Sequence, residues 1–153
     1  MRKQLIGFAV LVLVFATIAM AADDPFIGTW KLNTEKSTSL GTSPKSQVLM
    51  VEPINNGLKF ESDALSSDGK ARHSQWTEIF NGEFRPDVAI PNGEVAYIRI
   101  DANTIERVIR ENGKEIGRRR SVVSQDGKTM TAIYKGKNAQ GQEVEAITVH
   151  ERQ

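Results

Sequence analysis

The sequence predicts an all-β fold, a single antiparallel up-and-down barrel of about eight to ten strands. Five Asx-Gly pairs separate short runs of apolar and β-branched residues, a pattern typical of consecutive hairpins. No segment after residue 21 shows a helical apolar period. A Greek-key sandwich would need long cross-connections, and only segments 33–45 and 86–94 are long enough. We therefore predict a meander that closes on itself and removes its exposed edges.

The individual strands follow from the apolar runs between the turn signals. They are predicted at residues 28–32, 46–52, 58–64, 72–80, 95–100, 104–111, 114–123, 129–135 and 143–151, with a weak strand at 83–85. The pairs between them are Asn56-Gly57, Asp68-Gly69, Asn81-Gly82, Asn112-Gly113 and Asp126-Gly127. Each pair can adopt the two positive φ angles of a type I′ turn, which matches the twist of antiparallel strands, so we predict consecutive hairpins.

Residues 1–21 are expected to be a cleaved secretory signal peptide. Two basic residues precede an apolar run over 5–20, and Ala19 and Ala21 are the small residues that a signal peptidase reads. An uncleaved membrane anchor is the alternative, but the run is shorter than the ~20 residues that span a bilayer. We expect an exported protein, either periplasmic or extracellular.

The remaining chain, 22–153, is expected to form one domain. Loss of Arg2 and Lys3 leaves 18 basic and 19 acidic residues, a net charge of −1 that attracts neither nucleic acid nor an anionic membrane. The absence of cysteine excludes disulfides and cysteine-ligated zinc. His73 and His150 are the only histidines and make a poor metal site without a third ligand. We expect no metal or other cofactor, and a monomer is favoured over a dimer.

Residues 28–32 read Gly-Thr-Trp-Lys-Leu. This stretch resembles the start of the first strand in lipocalins and, more closely, in fatty-acid-binding proteins, which are both calycin barrels. The stretches FIGTWKLN, SQDGKTMT and NAQGQ are similar in style to small exported bacterial lipocalin-like proteins. In such barrels the tryptophan closes one end, and a basic residue of the last strand packs across its ring. The resemblance therefore implies structural roles for Gly28, Trp30 and Arg152.

The resemblance also has departures that bear on ligand binding. Fatty-acid-binding proteins hold a ligand carboxylate with an Arg-x-Tyr pair on the last strand, and the matching positions here are Thr148 and His150. Their two-helix lid follows the first strand, whereas segment 33–45 is short and polar. The resemblance thus implies a ligand-binding barrel without the standard carboxylate clamp.

Another anchor for a ligand follows from the turn predicted at Asn112-Gly113. In that register Arg107 faces Arg118 and Ile105 faces Arg120 on one largely apolar face. Like charges inside a barrel need an anion or a protein carboxylate between them. We therefore predict that Arg107, Arg118 and Arg120 line a cavity and bind an acidic headgroup.

Three alternatives to this arginine site stay open. The face can lie outside the barrel, Glu143 or Glu145 can neutralise it, or a bulge at Gly117 can reverse its orientation. Other candidate ligand-binding residues have aromatic or imidazole side chains that can reach into a lumen. They are Trp76, Tyr97, Tyr134 and His150.

The predicted function is non-catalytic binding of a small hydrophobic or amphipathic molecule, an acidic one included. One alternative is a structural or protein-interaction barrel with a filled core. Another is an isomerase or hydrolase that uses His150 or His73 with a nearby tyrosine. No nucleophile and base can be paired from the sequence, so no catalytic residue is predicted.

Overall fold

The computed structural model describes residues 24–38, 43–87, 90–138 and 140–153. These residues form a single ten-stranded antiparallel sheet. Its strands are β1 (Gly28–Leu32), β2 (Ser46–Ile54), β3 (Gly57–Leu65), β4 (Ala71–Ile79), β5 (Arg85–Asp87), β6 (Gly93–Asp101), β7 (Thr104–Glu111), β8 (Lys114–Val123), β9 (Thr129–Lys137) and β10 (Glu143–Arg152). The expected signal peptide lies outside the described residues. Within these residues, no helix has the length and apolar character needed to cross a membrane.

The sheet curls into an up-and-down barrel. Its strand order is β4-β3-β2-β1-β10-β9-β8-β7-β6-β5, so each strand except β4 pairs with the next in the chain, and β1 pairs with β10. No ladder joins β4 to β5, and a backbone hydrogen bond from Gly82 N to Tyr97 O, 3.1 Å long, links the two sides of this gap. The all-β up-and-down prediction is confirmed, with a wall that is open between β4 and β5.

The turns differ more from the prediction than the strands do. At Asn112-Gly113 the φ angles are 49° and 75°, which confirms the type I′ turn. At Asn56-Gly57 only Asn56 has a positive φ, because Gly57 already begins β3. In the other three pairs only the glycine has a positive φ, so those pairs do not use the type I′ turn that their residues allow.

A bulge in β8 changes the register that the sequence predicted for the β7–β8 hairpin. Arg110 pairs with Glu115 as expected, but Ile109 pairs with Gly117, which leaves Ile116 as the extra residue. One inserted residue reverses which side chains of β8 face the lumen. Beyond the bulge, β8 therefore presents the opposite face from the one predicted.

The apolar core fills the end of the barrel where the described chain begins and ends. Trp30 is fully buried there, and its indole Nε1 donates to the carbonyl of Phe26 at 2.9 Å. Nine buried side chains form this cluster: Phe26, Trp30, Leu49, Val51, Leu58, Phe60, Ile105, Val123 and Met130. We call this end of the barrel the closed end.

Arg152 joins the last strand to this core. Its guanidinium carbon lies 4.1 Å from the centroid of the Trp30 ring. The same guanidinium donates to the carbonyls of Pro25, Ile27 and Gly127 at 2.6, 2.7 and 2.6 Å. A cation on an indole face is worth about 0.5 to 2 kcal/mol, so Arg152 fastens the two chain ends by both contacts.

Gly28 leaves room for this arrangement. Its φ is 132°, a conformation that L side chains rarely adopt, and a Cβ there would lie 2.5 Å from Nη1 of Arg152. A side chain at this position would therefore strain the backbone and displace the guanidinium. Glycine is required at the point where β1 passes beneath Arg152.

Candidate functional site

A cavity of about 510 Å³ lies inside the barrel. Its apolar lining comes from side chains of the central strands: Leu49, Phe60, Ile105, Ile109, Met130 and Ala132. Polar side chains also line it, and we call them the polar cluster: Gln47, Glu78, Asp87, Arg107, Arg119 and His150. This volume falls within the roughly 300 to 1,000 Å³ typical of small-molecule sites. The interior thus combines an apolar chamber with charged groups.

The bulge decides which arginines reach this cavity. Arg107 and Arg119 are paired across β7 and β8 and both line it. Arg118 and Arg120 lie on the outer face, with side chains 50% and 56% exposed. The predicted orientation of Arg118 and Arg120 is therefore wrong, because the extra residue Ile116 shifts β8 by one position.

Outside, Arg118 is held by acidic neighbours. Its guanidinium donates to Glu106 at 2.8 Å and to both carboxylate oxygens of Glu115 at 2.6 and 2.9 Å. Arg120 Nε lies 3.6 Å from Glu106. These exposed pairs are ordinary surface salt bridges, and they offer no anion site in the lumen.

Arg107 is neutralised from within the protein. Its Nη2 donates to the buried carboxylate of Asp87 on β5, and its guanidinium carbon lies 6.0 Å from the Tyr97 ring centroid. Arg107 Nε is buried and has no hydrogen-bond partner among the residues that the structure describes. Two like-charged arginines thus face the same lumen, but Arg107 carries its own counter-ion.

Arg119 is different from Arg107. The structure gives its guanidinium no hydrogen bond and no salt bridge to any of the described residues, although the side chain is largely surrounded by protein. Burial lowers the pKa of Arg119, and the negative charge of nearby Glu78 opposes that shift. Arginine stays protonated in proteins, so the lumen holds a cation whose donors are free.

Glu78 is the carboxylate whose negative charge acts against the burial that lowers the pKa of Arg119. Only 6% of Glu78 is exposed, and one of its oxygens accepts a hydrogen bond from Trp76 Nε1 at 3.1 Å. Burial raises the pKa of Glu78, while Arg119, the Trp76 hydrogen bond, Arg107 and Arg99 act in the lowering direction. The carboxyl group is therefore only partly compensated by its surroundings.

His150 is fully enclosed and neutral. Its Nε2 lies 3.2 Å from Gln47 Oε1, and Gln47 Nε2 donates to the hydroxyl of Ser62 at 2.9 Å. This amide orientation assigns the ring proton to Nε2, and Nδ1 has no partner among the described residues. Burial, with a further contribution from Arg119, lowers the pKa of His150 to about 4.

The aromatic candidates occupy two parts of the wall. Trp76 stacks on Phe60 with centroids 5.2 Å apart and lines the cavity. Tyr134 also lines it, and a Cβ on Gly117 or on Gly136 would lie 2.5 Å from the tyrosine hydroxyl. The two glycines therefore let the Tyr134 ring lie close against β8 and β9.

Tyr97 faces a second hollow of about 690 Å³ at the gap between β4 and β5. This hollow shares Trp76, Arg107 and Arg119 with the central cavity. The gap in the wall therefore leads toward the same charged groups.

His73 lies away from this interior. It is exposed on β4 and forms a hydrogen bond with Asp63 at 2.8 Å. The part of the chain that the structure covers contains no group of three or more potential metal ligands.

The sequence-based prediction missed Arg119, Glu78 and Asp87. A signal for Arg119 was present, since an isolated glycine within a strand pattern, here Gly117, marks a bulge. Glu78 and Asp87 had no comparable signal, because each ends a polar stretch that reads as solvated. Their burial depends on how β4 and β5 curl toward the lumen.

Solved structures show which known barrels this sheet resembles. A Schistosoma mansoni fatty acid binding protein in complex with arachidonic acid superposes with a TM-score of 0.59 at 13% identity, covering 84% of this chain and 96% of that one. The chain has a fatty-acid-binding-protein-like calycin fold. The wild-type fluorescent protein UnaG matches this calycin barrel with a TM-score of 0.54 at 12% identity, over 84% and 97% of the two chains. No family model and no curated protein matches the sequence of the barrel.

Proposed function

We propose that this protein binds a small amphipathic molecule inside the barrel and places the molecule's acidic end at Arg119, without catalysing a reaction. The observation that carries this proposal is the Arg119 guanidinium, which lines a cavity of about 510 Å³ and has no hydrogen bond or salt bridge to any described residue. Burial disfavours this cation, and an anionic group that accepts its hydrogen bonds offsets that cost.

The composition of the cavity supports an amphipathic ligand. Aliphatic and aromatic side chains line the lumen together with a few charged groups, so one cavity offers both apolar and polar contacts. The resemblance of the fold to a fatty acid binding protein in complex with arachidonic acid agrees with this combination. In this proposal Arg119 holds the ligand's carboxylate, the role that the Arg-x-Tyr pair of the last strand has in fatty-acid-binding proteins.

Chemical reactivity has less support. His150 reaches the hydroxyl of Ser62 only through the side-chain amide of Gln47, and an amide does not relay a proton as a general base would. His73 lies on the exposed surface, away from the residues that line the lumen. The interior therefore favours binding over catalysis. The internal volume also counts against a barrel whose core is filled.

Export is part of the proposal and rests on the sequence of residues 1–21. A basic start, an apolar run and a small-residue cleavage site are the features that support it. The protein would then meet its ligand in the periplasm or outside the cell. Amino-terminal sequencing of the protein recovered from these fractions tests this point, and a chain that retains residue 1 would contradict it.

Native mass spectrometry of protein purified without detergent tests binding directly. We expect the native mass to exceed the denatured mass by a discrete amount, or to do so after incubation with a lipid extract.

A matched pair of variants then shows where the acidic end of the ligand binds. Arg119→Gln should weaken dodecanoate binding by roughly 10- to 100-fold, the worth of a charge-assisted hydrogen bond.

Arg118→Gln is the control, because it removes the neighbouring arginine from the outer face. It should leave dodecanoate affinity unchanged. Equal losses in the two variants would point to long-range charge effects and contradict the assignment of Arg119. A protein that gains no mass with any lipid would favour the filled barrel.

A further inference from the structure

Glu78 limits which acidic molecules suit the site, and this inference rests on the proposed function. Arg119 can donate up to five hydrogen bonds and has no acceptor among the described residues. Glu78 accepts one hydrogen bond, from Trp76, and the described residues give its second oxygen no donor. The same cavity thus presents free donors on Arg119 and a free acceptor on Glu78.

The charges around Glu78 do not remove this demand for a donor. Arg107 is already paired with Asp87, and Arg99 at the closed end is paired with Asp24. His150 is neutral, because its pKa is lowered to about 4. Tyr97 also lies near Glu78, and Trp76 already donates to it. Arg119 is therefore the cation that both Glu78 and a bound anion would share.

A plain carboxylate fits this arrangement poorly. It would satisfy Arg119 but place a second negative charge beside Glu78, and like charges in a dry cavity repel strongly. It would also enclose the second oxygen of Glu78 without supplying a donor for it. A ligand with a hydroxyl or amide N–H next to its acid group supplies both the acceptor and the donor.

We infer that Glu78 makes the site selective for amphipathic acids that carry a hydroxyl or amide N–H group beside the carboxylate. Arg119 donates hydrogen bonds to the carboxylate, and Glu78 accepts the hydrogen bond from the neighbouring O–H or N–H group. The apolar chamber holds the chain. Glu78 is thus a specificity-determining residue that discriminates against simple fatty acids.

Calorimetric titration with dodecanoate and 2-hydroxydodecanoate tests this inference. The two acids share chain and charge and differ by one hydroxyl. Wild-type protein should bind the hydroxy acid roughly tenfold more tightly, the worth of one hydrogen bond to a charged group. Glu78→Gln should tighten dodecanoate by about the same factor, because the like charge is gone. Its affinity for the hydroxy acid should change much less.

Arg119→Gln serves as the comparison, since it should weaken both acids by similar factors and leave their ratio unchanged. The same ratio of affinities in wild type and Glu78→Gln would overturn the role of Glu78 and leave the proposed function intact. A wild-type preference for dodecanoate would do the same. Failure of both acids to bind the wild-type protein would instead overturn the proposed function, and this inference with it.

Discussion

Partly buried arginines lie at the closed end and in the polar cluster, but the protein completes only one of the two environments. At the closed end, Arg152 donates to three carbonyls and stacks on Trp30, and Arg99 pairs with Asp24. In the polar cluster, Arg119 has no acceptor among the described residues. Enclosed polar groups are normally satisfied, and an exception calls for water, an ion or a ligand. The closed end therefore stabilises the fold, and the polar cluster is available to a ligand.

Removal of Trp30 is the largest test of this contrast. Trp30→Ala should lower the free energy of unfolding by about 3 to 5 kcal/mol, since it leaves a cavity in a packed core. Trp76→Ala should cost less, about 1 to 3 kcal/mol, because Trp76 already borders open space. Urea unfolding of both variants measures the difference. Equal losses would contradict the assignment of Trp30 to stability and Trp76 to the site.

His150 gives the polar cluster a pH signature. The pKa of His150 is about 4 in the folded protein, against 6.5 ordinarily. Between these two pH values the unfolded chain therefore binds a proton that the folded chain does not bind. Stability should be fully present above pH 6.5 and should fall by roughly 3 kcal/mol as the pH drops to about 4. The His150→Gln variant should lack this part of the pH dependence. Parallel stability curves for the two proteins would contradict a neutral, buried His150.

The fold was more predictable than the site because it depends on repeated local signals. The bounds of β1, β7 and β8 agree with the predicted ranges, since each lies beside clear turn residues and has a regular apolar pattern. The family resemblance implied that Arg152 packs against Trp30, and the structure pairs these two residues in β1 and β10. These features need only pairing between neighbouring strands and the closure of the two ends.

The site depends on register, which one residue can reverse. Ile116 stands between Glu115 and Gly117, and nothing in its own side chain distinguishes it as the extra residue, so only Gly117 beside it indicates a bulge. That single insertion exchanges Arg118 for Arg119 in the lumen. The partners Glu78 and Asp87 come from distant strands, and their proximity to the arginines is a property of the closed barrel. Contacts between side chains of distant strands cannot be predicted from the apolar and turn patterns of one sequence.

The closed end offers a smaller and more specific test. Arg152→Lys keeps a cation near Trp30 but cannot donate to three carbonyls in one plane. The buried acceptors left without donors should cost about 1 to 3 kcal/mol in chemical unfolding. Arg118→Lys, the same change on the outer face, should stay within about 0.5 kcal/mol. A negligible effect of Arg152→Lys would show that packing over the ring alone holds the chain ends.

The last test asks whether the polar cluster reduces stability, as a site kept ready for a ligand should. Burial raises the pKa of Glu78, so its ionised form is disfavoured in the folded protein relative to the unfolded chain. Glu78→Gln removes that charge, and the amide oxygen can still accept from Trp76. The variant should be more stable than wild type at neutral pH, by roughly 0.5 to 2 kcal/mol.

The gain from Glu78→Gln should disappear as the pH falls below the ordinary carboxyl value of 4.5, where both states of the wild type are protonated. Thermal or urea unfolding over that range measures it. A variant that is less stable than wild type at neutral pH would mean that ionised Glu78 stabilises Arg119 in the empty barrel. In that case the two groups form a completed pair, and the polar cluster would resemble the closed end instead of differing from it.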